Sequence, residues 1–310
     1  MALLTPEQVI ARVQQGESLQ EAELSNINLQ GAHLDRGEFT GAYLRRANFS
    51  SASCREADFT KAQLMWSNLT AAVLSEARLV SASLNSACLE RANLQRAIAT
   101  GARFNGATLH HIDANQAHLE HTSLREIQAH AANFSQANLT MADLGASDLT
   151  QGNFSRANLR RATLEASDLK QTQWLQANLE QANLSRVTLS EANFTSADLN
   201  NANLRASKLT RSEFNRAELV EAHLANAWLE QVDFTNASLF SANLSGAQLS
   251  NINLTGADLQ HANLEGTSWT AVNFSESNCN VRGAEFTDAQ GIDPEQLQWL
   301  KHNGALNVPS

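Results

Sequence analysis

Residues 47–59 read Ala47-Asn48-Phe49-Ser50-Ser51-Ala52-Ser53-Cys54-Arg55-Glu56-Ala57-Asp58-Phe59. A small residue, a polar one and a large apolar one recur, two further outward residues follow, and the unit begins again. The same register runs outward from Leu24 to Cys279. Leu or Phe fills 45 of the 52 positions ending in 4 or 9, and Ala fills 34 of the 52 positions two residues earlier. The exceptions at the large site are Cys54, Ala99, Ala114, Ala129, Trp174, Trp269 and Cys279. Self-similarity at a fixed period marks a repeat architecture. A period of five fits neither the i, i+3, i+4, i+7 spacing of a helix nor the alternation of a strand. It fits a coil in which each pentapeptide forms one short side before a corner. The large and small residues point inward and the other three outward, so a change such as Asn193→Ser is expected to cost little.

Reading the large site at intervals of twenty gathers Phe134, Phe154, Trp174, Phe194, Phe214, Phe234, Leu254 and Phe274 in one column, and another column, from Leu24, is nearly pure Leu. Intervals of fifteen scatter the aromatics, so each coil has four sides. Ala114 follows Ile112 and Ala129 follows Ile127, exchanges of large and small that roughly conserve volume. The chain resembles the pentapeptide-repeat proteins over roughly residues 17–286. The resemblance implies an all-β solenoid, a right-handed quadrilateral β-helix of about thirteen coils at about 4.8 Å each. It leaves function open, because the family is functionally diverse.

Both ends carry helix-start signals. Thr5-Pro6-Glu7-Gln8 pairs an N-cap with a first-turn proline, and Leu4 and Val9 are spaced as a staple. Asp293-Pro294-Glu295-Gln296 repeats the device ahead of Leu297, Trp299 and Leu300. Solenoids need their end coils covered. Residues 1–16 and 287–310 are therefore expected to be caps, the second with a tail, and the register is expected to slip by two between Cys279 and Phe286. No linker divides the chain, which reads as one elongated domain and as a monomer, although some members of the family dimerise through the C-terminal end. No signal peptide or long apolar run appears, so a cytoplasmic location and no membrane association are expected. Cys54 and Cys279 take core positions and Cys88 an outward one, with no disulfide expected.

The net charge of −10 argues against direct nucleic-acid binding through phosphates. Stacked carboxylates, such as Glu38 over Asp58, come as near as a retaining glycosidase pair. A convex side without inserted loops offers no dry pocket for catalysis, so no enzyme and no cofactor are expected. His110, His111, His118, His121 and His130 crowd one region, but only two or three could converge, short of a usual zinc set, and no metal is assigned. Outward apolar residues are more telling. Met65 and Trp66 follow Arg45 and Arg46 by one coil, Trp228 follows Lys208, and Phe240 follows Val220. Arg46, Met65, Trp66, Val220, Trp228 and Phe240 are the candidate interface, since Trp and Arg are frequent hot-spot residues. One side is acidic, with Glu180, Asp198, Glu218, Glu221 and Asp258 as its candidates. The reading is a non-enzymatic interaction scaffold for a protein partner. The alternative is a DNA mimic that binds gyrase, as family members associated with quinolone resistance do. Against it, the repeats hold 28 acids and 20 bases, net −8, where a duplex of that length carries roughly 36 negative charges.

Overall fold

A computed structural model describes residues 4–310. They gather into two compact units, one ending at Asn158 and one spanning Leu159–Ser310. In both, the chain returns beside itself every 20 residues through parallel bridges, as in Asn28–Asn48–Asn68 and Asp198–Glu218–Ser238–Asp258. Among the described residues no helix is long and apolar enough to cross a membrane.

The pentapeptide 48–52 shows why the coil forms, because each of its five amides finds an acceptor. Asn48 donates to the carbonyl of Ile27 in the preceding coil at 2.9 Å, and Phe49 and Ser51 to Asn68 and Thr70 in the following one at 2.7 and 2.8 Å. Ala52 closes the corner on the carbonyl of Phe49 at 2.9 Å. Ser50 donates to the Asn48 side chain, Oδ1, at 3.0 Å. The corner places Ser51 at φ 57°, and Arg46, Glu56 and Trp66 take the same left-handed conformation. That conformation is disfavoured for L-residues by roughly 1–2 kcal/mol, and the inter-coil bonds offset it.

Asn and Asp at the middle position are therefore backbone acceptors. Thr60, Glu180 and Thr195 donate to Asp58, Asn178 and Asn193 in the same way, at 2.8, 2.9 and 2.8 Å. At some corners where the middle residue does not accept, a side chain 20 residues earlier does. The amides of Arg55, Arg125 and Val220 bond Asp35, Asn105 and Asn200. The expectation that Asn193→Ser costs little treats the side chain as unengaged, whereas its Oδ1 accepts the Thr195 amide.

The interior follows the expected positions. In the first unit Phe39 and Phe59 stack at 4.9 Å, as do Phe134 and Phe154 at 5.1 Å. In the second, Trp174, Phe194, Phe214 and Phe234 stack successively at 5.4, 4.8 and 5.3 Å. Ile112 and Ala114, and Ile127 and Ala129, are all buried, as the volume exchange requires. Each of the two core tryptophans is accompanied by Thr at the small site. The indole N–H of Trp174 donates to Thr172 Oγ1 at 2.7 Å and that of Trp269 to Thr267 Oγ1 at 2.8 Å. The two hydroxyls donate in turn to the carbonyls of Leu169 and Leu264.

Helix α1, Pro6–Gln14, precedes the first coil with the expected capping box, and Gly16 follows it at φ 72°. The second unit holds the strands β1 Lys208–Thr210, β2 Trp228–Glu230, β3 Gln248–Ser250 and β4 Ser268–Thr270, parallel and adjacent in that order. The register then slips by two, pairing Asp258 with Asn280 and Asn263 with Glu285. The cause lies earlier than expected. A short helix, α2 Phe274–Ser277, takes up the extra residues ahead of Cys279. Cys279 consequently stands at a small site, and Val281 occupies the large one, donating nothing to the outer surface at 1% exposure. Helix α3, Pro294–His302, buries Leu300 and Gln296. Gln296 Oε1 accepts the amides of Phe274 and Ser275 at the start of α2, and Trp299 stacks on Phe274 at 6.4 Å. Beyond α3 the chain pairs once more, Leu306 with Glu285.

Phe194→Ala should cost about 3–5 kcal/mol and Asn193→Ala about 1 kcal/mol, measured as shifts of denaturation midpoint. Thr172→Val should cost about 1–3 kcal/mol, because it strands a buried indole N–H. The double change Thr172→Ala with Trp174→Phe restores the common pair and should recover most of that loss. A double variant no better than the single one would refute the coupling.

Candidate functional site

Trp66 occupies a corner at φ 59° with its ring 49% exposed. The guanidinium of Arg45 lies over it at 5.1 Å and that of Arg46 at 5.9 Å. The expected Arg46 contact is present, and Arg45, one residue earlier, is the closer cation. The corner turns both arginines outward from the coil before, so the two flank a ring that no interior contact requires. Met65 is half-buried beside it, and Tyr43 is 40% exposed on the same side. A shallow groove continues from Met65 along Lys61, Gln63, Ser81, Asn85 and Arg103.

The other candidate residues are less concentrated. Trp228 is 46% exposed and is the register partner of Lys208, but its indole N–H points to Glu230 Oε2 at 3.4 Å. Val220 and Phe240 are only half-exposed, and the Phe240 ring meets His261 edge to face at 5.5 Å. On the acidic side, Asp198, Glu218 and Asp258 share one bridged column, whereas Glu180 is paired with Arg160 at 3.0 Å. Asp198 and Asp258 also accept backbone amides from Asn200 and Gln260, which ties their carboxylates to the coil. Glu218 and Glu221 are exposed.

The histidine cluster has a structural explanation that the sequence did not show. His110 Nδ1 accepts the backbone amide of His130 at 3.2 Å, taking the place of the missing Asn or Asp. His130 Nδ1 is bonded to Thr150 Oγ1 at 2.9 Å. Among the described residues no group of three or more His, Cys, Asp or Glu side chains is placed to hold a metal ion. Elsewhere the outward charges interleave. Glu56 pairs with Arg36 at 3.0 Å and Glu76 with Arg96 at 3.8 Å, and Asp58 pairs with Arg78 at 3.6 Å. Exposed pairs of this kind contribute about 0–1 kcal/mol each. Burial pushes the thiols of Cys54 and Cys279 up, while Cys88 is half-exposed and bonded to Thr70.

Profiles of pentapeptide repeats match eight stretches that together cover residues 22–98, 157–211 and 217–289, and a pentapeptide repeat region matches residues 97–174. None of the curated proteins compared is significantly similar. Similar solved structures include HetL, a pentapeptide repeat protein involved in heterocyst differentiation regulation from the cyanobacterium Nostoc sp. strain PCC 7120. It is 27% identical over 85% of this chain and 96% of its own, with a TM-score of 0.24. QnrB1, a plasmid-mediated fluoroquinolone resistance protein, is 16% identical over 66% of this chain and 90% of its own, with a TM-score of 0.37. Rfr23 from the cyanobacterium Cyanothece 51142 is 21% identical over 41% of this chain and 90% of its own, with a TM-score of 0.12.

Thiol labelling of the native protein at pH 8 should modify Cys88 readily and spare Cys54 and Cys279, all three reacting only after denaturation. Rapid native labelling of Cys54 would contradict its inward placement.

Proposed function

The chain belongs to the pentapeptide-repeat family, whose members form right-handed quadrilateral β-helices, and from that premise we propose that it is a non-catalytic scaffold that captures a protein partner on the sides of its coil. The observation that carries this reading is Trp66. A half-exposed indole with two guanidinium groups over its ring has no role in the interior, and Trp and Arg are the side chains that most often dominate interface energies. The finer parts of the proposal are about thirteen coils over residues 17–286 at about 4.8 Å each, with residues 1–16 and 287–310 covering the ends of a monomeric protein. Buried Val9 and Leu19 support the first cap, and the Gln296 and Trp299 contacts to α2 support the second.

A second reading, mimicry of DNA toward gyrase, is favoured by one observation, the bridged column Asp198–Glu218–Ser238–Asp258 with Glu221 exposed nearby. It requires acids that are free to meet a cationic partner, and Glu180 is already paired.

Partner capture from the native host should weaken by more than about 1 kcal/mol in Trp66→Ala and persist after changes at remote outward Asn and Ser residues. Mimicry instead requires gyrase inhibition at micromolar protein, lost when Asp198, Glu218 and Glu221 are neutralised. A captured partner indifferent to Trp66 would refute the interface. Deleting residues 1–16 should expose Leu19 and Leu24 and drive association, visible in light scattering. A deletion variant that remained monomeric and equally stable would refute the N-terminal cap.

A further inference from the structure

We propose that the face built from residues 41–46, 61–66, 81–86 and 101–106 binds an acidic polypeptide segment, with Trp66 as its apolar contact. The inference rests on reading the sides of the coil as protein-binding surfaces and names the chemistry of the partner.

The first support is charge. In a chain of net charge −10, these four stacked stretches contain no Asp or Glu, yet they carry Arg45, Arg46, Lys61 and Arg103. Among the described residues none of these four cations lies within ion-pair distance of a carboxylate. Most arginines elsewhere in the same unit are paired, as Arg36, Arg78 and Arg96 are. Glu23 borders the face. Its carboxyl lies below the usual range chiefly because the Ser25 hydroxyl and amide bond it, with Arg45 contributing least.

The second support is independent and lies in the backbone. The amide that follows the large site normally bonds an Asn or Asp side chain. On this face the middle residues are Tyr43, Gln63 and Ser83, and the residues a coil earlier that could substitute are Ser25, Arg45 and Met65. None of these accepts. The amides of Arg45, Met65 and Asn85 are therefore unpartnered among the described residues, in three successive coils. One coil further on the pattern resumes, with the amide of Asn105 donating to Asn85 Oδ1 at 3.1 Å. Unpartnered amides occur at other corners too. A run of three also stands at Val80, Thr100 and Glu120, but only here do the unpartnered amides share their stretches with four cations that have no carboxylate partner, where carboxylates would meet both N–H donors and cationic side chains.

The third support is shape. The small residues Ser81 and Ser83 line a groove between Met65 and Arg103. The acid-free stretch ends at Glu21 and Glu23 on one side and Glu126 on the other. It spans about 15 Å at the spacing of adjacent strands, the length of about five extended residues. A short acidic segment fits that length, whereas a long polyanion would meet the bordering carboxylates.

The test is a nuclear magnetic resonance titration of the full-length protein with a pentapeptide of four acidic residues around one phenylalanine. The amide signals of Arg45, Met65 and Asn85 should shift saturably downfield. The counterpart peptide with Asn and Gln for each acid should leave them in place. Lys61→Glu combined with Arg103→Glu should weaken binding at least tenfold and make it insensitive to salt, and Trp66→Ala should weaken it about tenfold, the remaining spectrum reporting an intact fold. Unmoved amides at millimolar peptide would overturn the proposal, as would binding that survives the charge reversal. Tighter binding of a five-nucleotide single-stranded DNA at the same amides would also overturn it. A host partner captured through Trp66 but indifferent to Lys61 and Arg103 would leave the scaffold reading standing and remove this one.

Discussion

The structure depends on where five backbone amides go. Two or three bond along the coil axis to neighbouring turns and one closes the corner, and none of these bonds needs a particular side chain. The remaining amide, two residues after the middle position, has no backbone acceptor and is met at many corners by a side-chain oxygen or nitrogen. A buried or half-buried amide without an acceptor costs about 1–3 kcal/mol, so a repeat multiplies the penalty many times. Asn and Asp meet it locally, as Asn48 does for Ser50. The substitutes at Asp35, Asn105, Asn200 and His110 meet it from a coil away. The polar middle residue is thus as much part of the fold as the buried Leu or Phe.

The interior imposes a second constraint, one large and one small side chain per side at close packing. It explains why Ile112 can stand where Ala usually does once Ala114 replaces Leu. It also explains the pairing of tryptophan with threonine. Trp174 and Trp269 bring a polar N–H into an apolar column, and the small site is the one neighbour able to receive it. Ser147, Ser207 and Ser212 show that a hydroxyl at the small site is tolerated when a Leu carbonyl of the preceding coil accepts from it.

The period, the inward positions and the aromatic columns were legible in the sequence because they depend on residues at fixed spacing. The threonine two residues before each core tryptophan was visible too and went unread, since its meaning requires knowing that both side chains point inward. The role of Asn193 was missed for a different reason. Outward position was taken as freedom from constraint, whereas its Oδ1 turns back to the backbone. The two-residue slip was placed after Cys279, because Phe274 continues the apolar register even while it enters a helical turn. Arg45 was passed over in favour of Arg46 at Trp66, since corner geometry, and not sequence distance, decides which guanidinium covers the ring.

Such a fold separates its obligations cleanly. The interior and the middle residues hold the coil, and the remaining outward positions are free to carry information. Whole-chain charge is then a poor guide to recognition. At physiological salt, fields between exposed groups fade beyond about 8 Å, a distance shorter than two coils. A partner on the stretches 41–46, 61–66, 81–86 and 101–106 therefore meets Arg45, Arg46, Lys61 and Arg103, and not the net charge of −10. The surplus of acid across the repeats argues against a polyanion that covers many coils. It does not argue against an anionic segment that covers four, and the unpartnered amides of Arg45, Met65 and Asn85 lie on three of those four without any reference to charge.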